Sequence, residues 1–285
     1  MVCKLILSFA SAMSLAIPQD RPPATTHNSP PQQVRQRKDK TLQHNEDLTR
    51  AQREVVTNPH SAEAFFRLGE AYRNAESHNP ERAGEAYQRA ILLKPAYPDA
   101  YKGMAWVYRT LKQYAKEVEA LEQAIRLNPN DAEAYCQLGD AHSTFDAGRK
   151  VPPFLSSEEL EKVVESHRKK AEVAVQAYTQ AIAIKPDYAG AYRGLGDAYL
   201  SLRRHRESTE AYERAIRYAP QDPLMRIGLG YTYLDLSDYK SALAQHKAAV
   251  QLIENVKEPH RRVYEIAAAL LLDRIQERRN DKQHQ

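Results

Sequence analysis

The chain has 285 residues, with 41 Lys and Arg against 37 Asp and Glu, and its formal net charge of +4 is too small to imply a polyanionic partner. Two cysteines, Cys3 and Cys136, cannot found a disulfide framework. Ten glycines beside seventeen tyrosines, with apolar residues recurring at helical intervals, point to helices throughout and to no sheet.

The start of the chain, with Lys4 ahead of an apolar run from Leu5 to Ile17 and small residues at Ser14 and Ala16, has the make-up of a signal peptide, residues 1–16. The run is too short to span a bilayer, so an exported protein, periplasmic or secreted, with no transmembrane span after cleavage is expected. Without that signal the chain would be cytoplasmic. Cleavage would leave Cys136 as the one cysteine. Residues 17–40 hold Pro18, Pro22, Pro23, Pro30 and Pro31 and no sustained apolar period, which predicts a disordered or extended linker.

From there the sequence repeats. Pro59, Pro95, Pro129, Pro186 and Pro220 each close a stretch of one design, with 34 residues from Pro95 to Pro129 and from Pro186 to Pro220. A period of this size means stacked supersecondary units in place of one globular core. After a half repeat at 41–59, the units fall at 61–95, 96–129, 130–186, 187–220 and 221–254, and a closing helix at 257–280. Aligned on the prolines, an opening aromatic (Phe65, Tyr101, Tyr135, Tyr192) precedes an apolar-small pair such as Leu68-Gly69, Leu138-Gly139 or Leu195-Gly196, then Tyr72, Tyr108, His142, Tyr199 or Tyr233. The second half carries small, aromatic, small, as in Ala83, Tyr87, Ala90 and Ser208, Tyr212, Ala215. These spacings place the residues on one face of each of two short helices, where large residues on one fill the gaps left by Gly or Ala on the other.

The third unit is longer than the period, the excess lying at about 143–170 between its two helices. Ser156 with Glu159 makes a capping box, which starts the second helix near Ser157. From there Leu160, Val163, Val164, His167, Ala171, Ala174, Val175 and Tyr178 form an apolar stripe along a helix of about 28 residues, on the order of 42 Å. In the last helix Ile266, Leu270 and Leu271 are expected to cover the stack, with Ala268, Leu272 and Ile275 widening the apolar surface enough for self-association.

This pattern of aromatic, L-G, Y, then A, aromatic, A and P resembles the tetratricopeptide repeat family over residues 61 to about 254. The resemblance implies an all-α fold, a right-handed α-solenoid of stacked antiparallel helix pairs (a TPR superhelix). It also implies a non-catalytic scaffold that binds a peptide or partner protein in a concave groove. In the family the first helix of each unit lines that groove through its second, fifth, ninth and twelfth residues. Carried onto this chain, the groove candidates are Phe66, Glu70 and Arg73; Lys102, Trp106 and Arg109; Asp140; Arg193 and Asp197; and Tyr231, with Leu224, Ile227 and Leu234 making the far end apolar. Trp106, the single tryptophan, flanked by Lys102 and Arg109, is the candidate hot spot. The clamp some members use for acidic chaperone tails needs Asn residues at ninth positions, where this chain has Glu70, Trp106, Asp140 and Asp197, which instead suggest a ligand with some Lys or Arg.

No residue set for catalysis, cofactor or metal stands out. Gly194-Leu195-Gly196 and Gly228-Leu229-Gly230 lack the final Gly of a phosphate loop and fall on helix-packing positions. The basic turn Arg203, Arg204, His205, Arg206 has no interleaved aromatics to stack bases, which disfavours nucleic acid. Two other readings stay open: an assembly factor of an envelope complex acting through the insertion and the last helix, and an accessory subunit of an enzyme.

Overall fold

A computed structural model describes residues 31–75, 79–144, 156–257 and 260–283. The signal at 1–16, the first part of the linker and residues 145–155 of the insertion lie outside the described residues. Among these there are twelve helices and no strand: α1 Pro31–Thr57, α2 Ala62–Asn74, α3 Pro80–Leu93, α4 Pro98–Thr110, α5 Tyr114–Leu127, α6 Ala132–Thr144, α7 Ser157–Ile184, α8 Ala189–Ser201, α9 His205–Tyr218, α10 Pro223–Asp235, α11 Tyr239–Ile253 and α12 His260–Gln283. The chain divides between Ala134 and Tyr135 into an N-terminal and a C-terminal body.

Helix α1 corrects one expectation, because it begins at Pro31, inside the stretch read as linker. Its first residues are Gln, Lys and Arg, polar enough to look like a solvated linker yet among the better helix formers, and Pro31 is suited to a first turn. In the N-terminal body, α2 packs on α1 and α3, and α4 on α3 and α5. Side chains close the helix starts: Ser61 accepts from the Ala64 N–H at 3.1 Å, Asn79 from Arg82 at 2.9 Å ahead of Pro80, and Asp131 from both Glu133 and Ala134 at 3.0 Å.

The C-terminal body runs from Tyr135, within α6, to α12. The capping box opens α7 where the sequence implies: Ser156 N–H donates to Glu159 Oε2 at 2.8 Å, and Glu159 N–H to Ser156 Oγ at 3.2 Å. The stripe is narrower than the sequence suggests, since Leu160, Val163 and His167 are half-buried while Val164 is 40% exposed.

What locks the helix pairs is one aromatic ring used repeatedly. Tyr87, Tyr178 and Tyr212 are almost wholly buried, and each lies against two glycines, one on the first helix of its own repeat and one on the first helix of the next. The pairs are Gly69 and Gly103, Gly139 and Gly194, Gly196 and Gly228; a Cβ at any of them would fall between 2.3 and 2.9 Å from a ring atom. The two Gly-Leu-Gly segments are therefore packing surfaces. In repeat two the corresponding residues are Leu121 and Ala105, both buried, a smaller wedge with a larger floor. In repeat five His246 stands in the tyrosine's place, and the space at Gly230 is taken by Leu271 of α12, 2.6 Å from where a Cβ would sit.

That contact decides the face of α12. Ala268, Leu271 and Ile275 are buried with Tyr264 and Ala267 beside them, packed on Ile227, Leu234, Ala242, Ala249 and Ile253. Ile266 and Leu270, expected to cover the stack, point outward at 43 and 39% exposure. The stripe that carries Leu271 to Gly230 wins because that leucine fills a hole otherwise empty.

The turns within repeats two, four and five share a strained feature. Lys112, Arg203 and Ser237 have φ near 60°, the left-handed region, and the next N–H returns to a carbonyl five residues back: Gln113 to Tyr108 at 2.8 Å, Arg204 to Tyr199 and Asp238 to Tyr233 at 2.9 Å. Glycine adopts this conformation without the Cβ penalty. Arg203→Gly, at an exposed position, should raise stability by about 0.5–1 kcal/mol in a urea titration. Gly228→Ala should lower it by about 1–2 kcal/mol, overpacking against Tyr212 outweighing the better helix propensity. That cost should shrink in a Tyr212→Leu background, read as coupling in a double-mutant cycle.

Candidate functional site

The wedge tyrosines do more than fill space, because their hydroxyls emerge beside the ninth residue of the first helix. Tyr87 donates to Glu70 Oε1 at 2.6 Å, Tyr178 to Asp140 Oδ1 at 2.7 Å, and Tyr212 to Asp197 Oδ1. Burial, and then the adjoining carboxylate, pushes all three phenols well above the ordinary range, so they stay donors. Each of these acids is thus oriented by the side chain that packs the repeat.

In the N-terminal body the acid leads on to a chain of contacts. Arg73 Nη1 lies 3.4 Å from Glu70 Oε1, and its guanidinium stands over the Trp106 ring, 5.5 Å from the centroid. Phe66 packs on Tyr87 and Tyr97, with ring centroids 5.9 and 5.1 Å apart. Trp106 and Phe66 are half-buried around the core of Ala83, Tyr87 and Val107. Phe66, Glu70, Arg73 and Trp106 therefore form one patch across α2 and α4.

The cations expected to flank Trp106 are held elsewhere. Lys102 Nζ meets Asp99 at 3.2 Å, Asp131 at 2.8 Å and Glu133 at 3.2 Å, with its side chain 17% exposed. Burial alone would depress the Lys102 ammonium, but these carboxylates more than offset it and hold its pKa above the usual lysine value. For Asp131, burial would raise the carboxyl, whereas Lys102 and the N–H groups of Ala134 and Glu133 bring the net shift downward. Arg109 Nε donates to Glu117 Oε1 of α5 at 2.5 Å, and Glu117 is buried. Arg73, not Lys102 or Arg109, is the cation at the tryptophan.

In the C-terminal body, burial raises the Asp197 carboxyl on α8, and Asp140 on α6 adds a smaller rise. Arg193 Nη1 is 4.0 Å from Asp197 Oδ2, and it opposes that rise. Tyr231 belongs to a different environment. With Leu224 it packs against the cluster that α12 forms with Ile227 and Leu234, and burial pushes its hydroxyl up to about 12. The apolar end expected of the groove is thus covered by the protein's own last helix.

Residues 107–144 and 168–202 match the TPR repeat family model, and residues 195–255 match a second model, tetratricopeptide repeat. The chain carries tetratricopeptide repeats. No curated protein matches it. Among solved structures, a MamA protein is 23% identical with a TM-score of 0.53, covering 68% of this chain and 92% of its own. TTC0263, a thermophilic TPR protein of Thermus thermophilus, is 20% identical with a TM-score of 0.56, covering 74% of this chain and 100% of its own. YrrB, described as a TPR protein with an unusual peptide-binding site, is 16% identical with a TM-score of 0.52, covering 76% of this chain and 96% of its own. At these identities the likeness shows the fold, an all-α tetratricopeptide solenoid.

The ninth-position acids follow the packing tyrosines of these tetratricopeptide units. Glu70, Asp140 and Asp197 occur in the repeats that have Tyr87, Tyr178 and Tyr212; where the wedge is Leu121 or His246, the ninth residue is Trp106 or Tyr231. The signal was present in the sequence as this pairing, but each residue on its own reads as either core or groove. Among the described residues no group of three His, Cys, Asp or Glu is placed to hold a metal ion, and no helix is long and apolar enough to cross a membrane.

The Lys102 junction gives a pH-dependent expectation. A depressed Asp131 contributes stability that is present above the usual carboxyl value of 3.8 and is lost as pH falls through its folded pKa. Lys102→Met should cost about 1–3 kcal/mol at neutral pH, and the gap to wild type should narrow below about pH 4 in acid-unfolding curves.

Proposed function

We propose that the chain is a non-catalytic scaffold that captures a peptide or partner protein on the concave side of its repeats. The observation that supports this reading best is the ordered patch of Phe66, Glu70, Arg73 and Trp106. There a half-buried tryptophan is stacked by an arginine whose carboxylate partner is held by a core tyrosine. Side chains already fixed lose little rotamer freedom when a ligand arrives, so more of the contact energy appears as affinity. Trp and Arg are the residues most often found at the energetic centre of interfaces.

Asp140, Asp197 and Arg193 form the second element of the reading. Two carboxylates to one guanidinium leave a net negative charge on that stretch, which favours a ligand with a Lys or Arg side chain there. The structural neighbour YrrB, described as having a peptide-binding site, is consistent with a peptide ligand. Residues 1–16 read as a signal, so the scaffold acts in an exported compartment on this reading.

Trp106 is the only tryptophan, so its fluorescence reports on the patch directly. Titrating basic and acidic peptide pools against the full chain should shift that emission with the basic pool, more weakly as salt rises. Trp106→Ala, followed by anisotropy of a labelled peptide, should weaken binding roughly tenfold or more. Binding unchanged by Trp106→Ala, or a preference for acidic peptides that survives high salt, sinks the groove reading.

A further inference from the structure

Among the described residues, three of the exposed large apolar side chains fall together on one helix: Val263, Ile266 and Leu270 of α12, at 42, 43 and 39% exposure. At about 100° per residue they share one face, with Ala269 beside them, turned away from the Ala268, Leu271 and Ile275 face that packs on α10 and α11. The helix is fixed by Leu271 at Gly230, so this outer face cannot roll inward to cover itself.

Charges of opposite sign bound the apolar stretch. Arg262 lies at its N-terminal end, Asp273 and then Glu277 at its C-terminal end, all exposed. Ion pairs along α12 join Arg261 to Glu265 and Arg274 to Glu277, and neither Arg262 nor Asp273 takes part in them. A face that is basic at one end, apolar in the middle and acidic at the other is complementary to itself when reversed. Parallel pairing would oppose Arg262 to Arg262 and Asp273 to Asp273; antiparallel pairing opposes Arg262 to Asp273 twice.

We propose that this face pairs with the same face of a second copy of the chain, the two α12 helices running antiparallel about a two-fold axis that passes between Ile266 and Ala269. Such a contact is isologous and closes at two chains. Ala269 lets the helices approach, and Ile266 and Leu270 form the dry centre. One helix face is smaller than the roughly 800 Å² per partner of a standard interface, so the dimer is weak, with a Kd on the order of 10–100 μM. The proposal is independent of the groove.

Sedimentation equilibrium of the full chain from about 5 to 500 μM should show the mass rising from one chain toward two. Ile266→Glu should hold the mass at one chain with an unchanged helical melting curve. Arg262→Glu and Asp273→Arg, both on the exposed face, should each weaken the dimer by about tenfold, and the double variant should recover it. A single-chain mass across the range overturns the proposal, as does a two-chain mass that survives Ile266→Glu. Failure of the double charge reversal to recover association overturns the antiparallel register, and assembly beyond two chains overturns the closed contact.

Discussion

A tyrosine ring pressed against the backbone of two helices from successive repeats is the contact on which this architecture rests. The ring needs glycine on both sides, so Tyr87, Tyr178 and Tyr212 fix how closely their helices approach, and every apolar residue nearby packs to that spacing. Because the same phenol ends on Glu70, Asp140 or Asp197, the side chain that packs the repeat also orients an acid at the ninth position. Where the wedge changes, so does the ninth residue. Repeat two pairs Leu121 with Trp106, and repeat five, which has His246, gives its ninth position to Tyr231 under α12.

In the C-terminal body α12 packs on Leu224, Ile227, Tyr231 and Leu234. The aromatic patch around Trp106 belongs to the N-terminal body, and the carboxylates beside Arg193 belong to the C-terminal body. Lys102 and Arg109, although on the same helix as Trp106, work within the protein: one joins α4 to the cap of α6, the other joins α4 to α5. Their neutralisation lowers the electrostatic cost of an arginine on the tryptophan.

Much of the fold was legible in the sequence because a helical hairpin is a local object. Pro59 to Pro220 mark its ends, the small and large residues mark its faces, and Ser156 with Glu159 marks the start of α7. Two things were hidden for a physical reason. Most of the first ten residues of α1 are polar without being poor helix formers, so composition and propensity point opposite ways. In α12 several apolar phases coexist, and only the vacancy at Gly230, created by His246 far back in the chain, selects the one with Leu271 inward. Lys102 and Arg109 were legible by position but not by partner: face periodicity places both on α4, while the carboxylates that hold them come from other turns and helices.

The use of Leu271 to complete repeat five also sets an order of events during synthesis. Repeats one, three and four hold their own wedge within their second helix and can close as soon as the next helix emerges. Repeat five borrows its wedge from forty-one residues beyond Gly230, so its two helices stay without a filled interior until α12 has been made. Closure of repeat five is thereby tied to the arrival of α12, and a chain stopped before that helix is left with an open, sticky end that quality-control proteases can recognise.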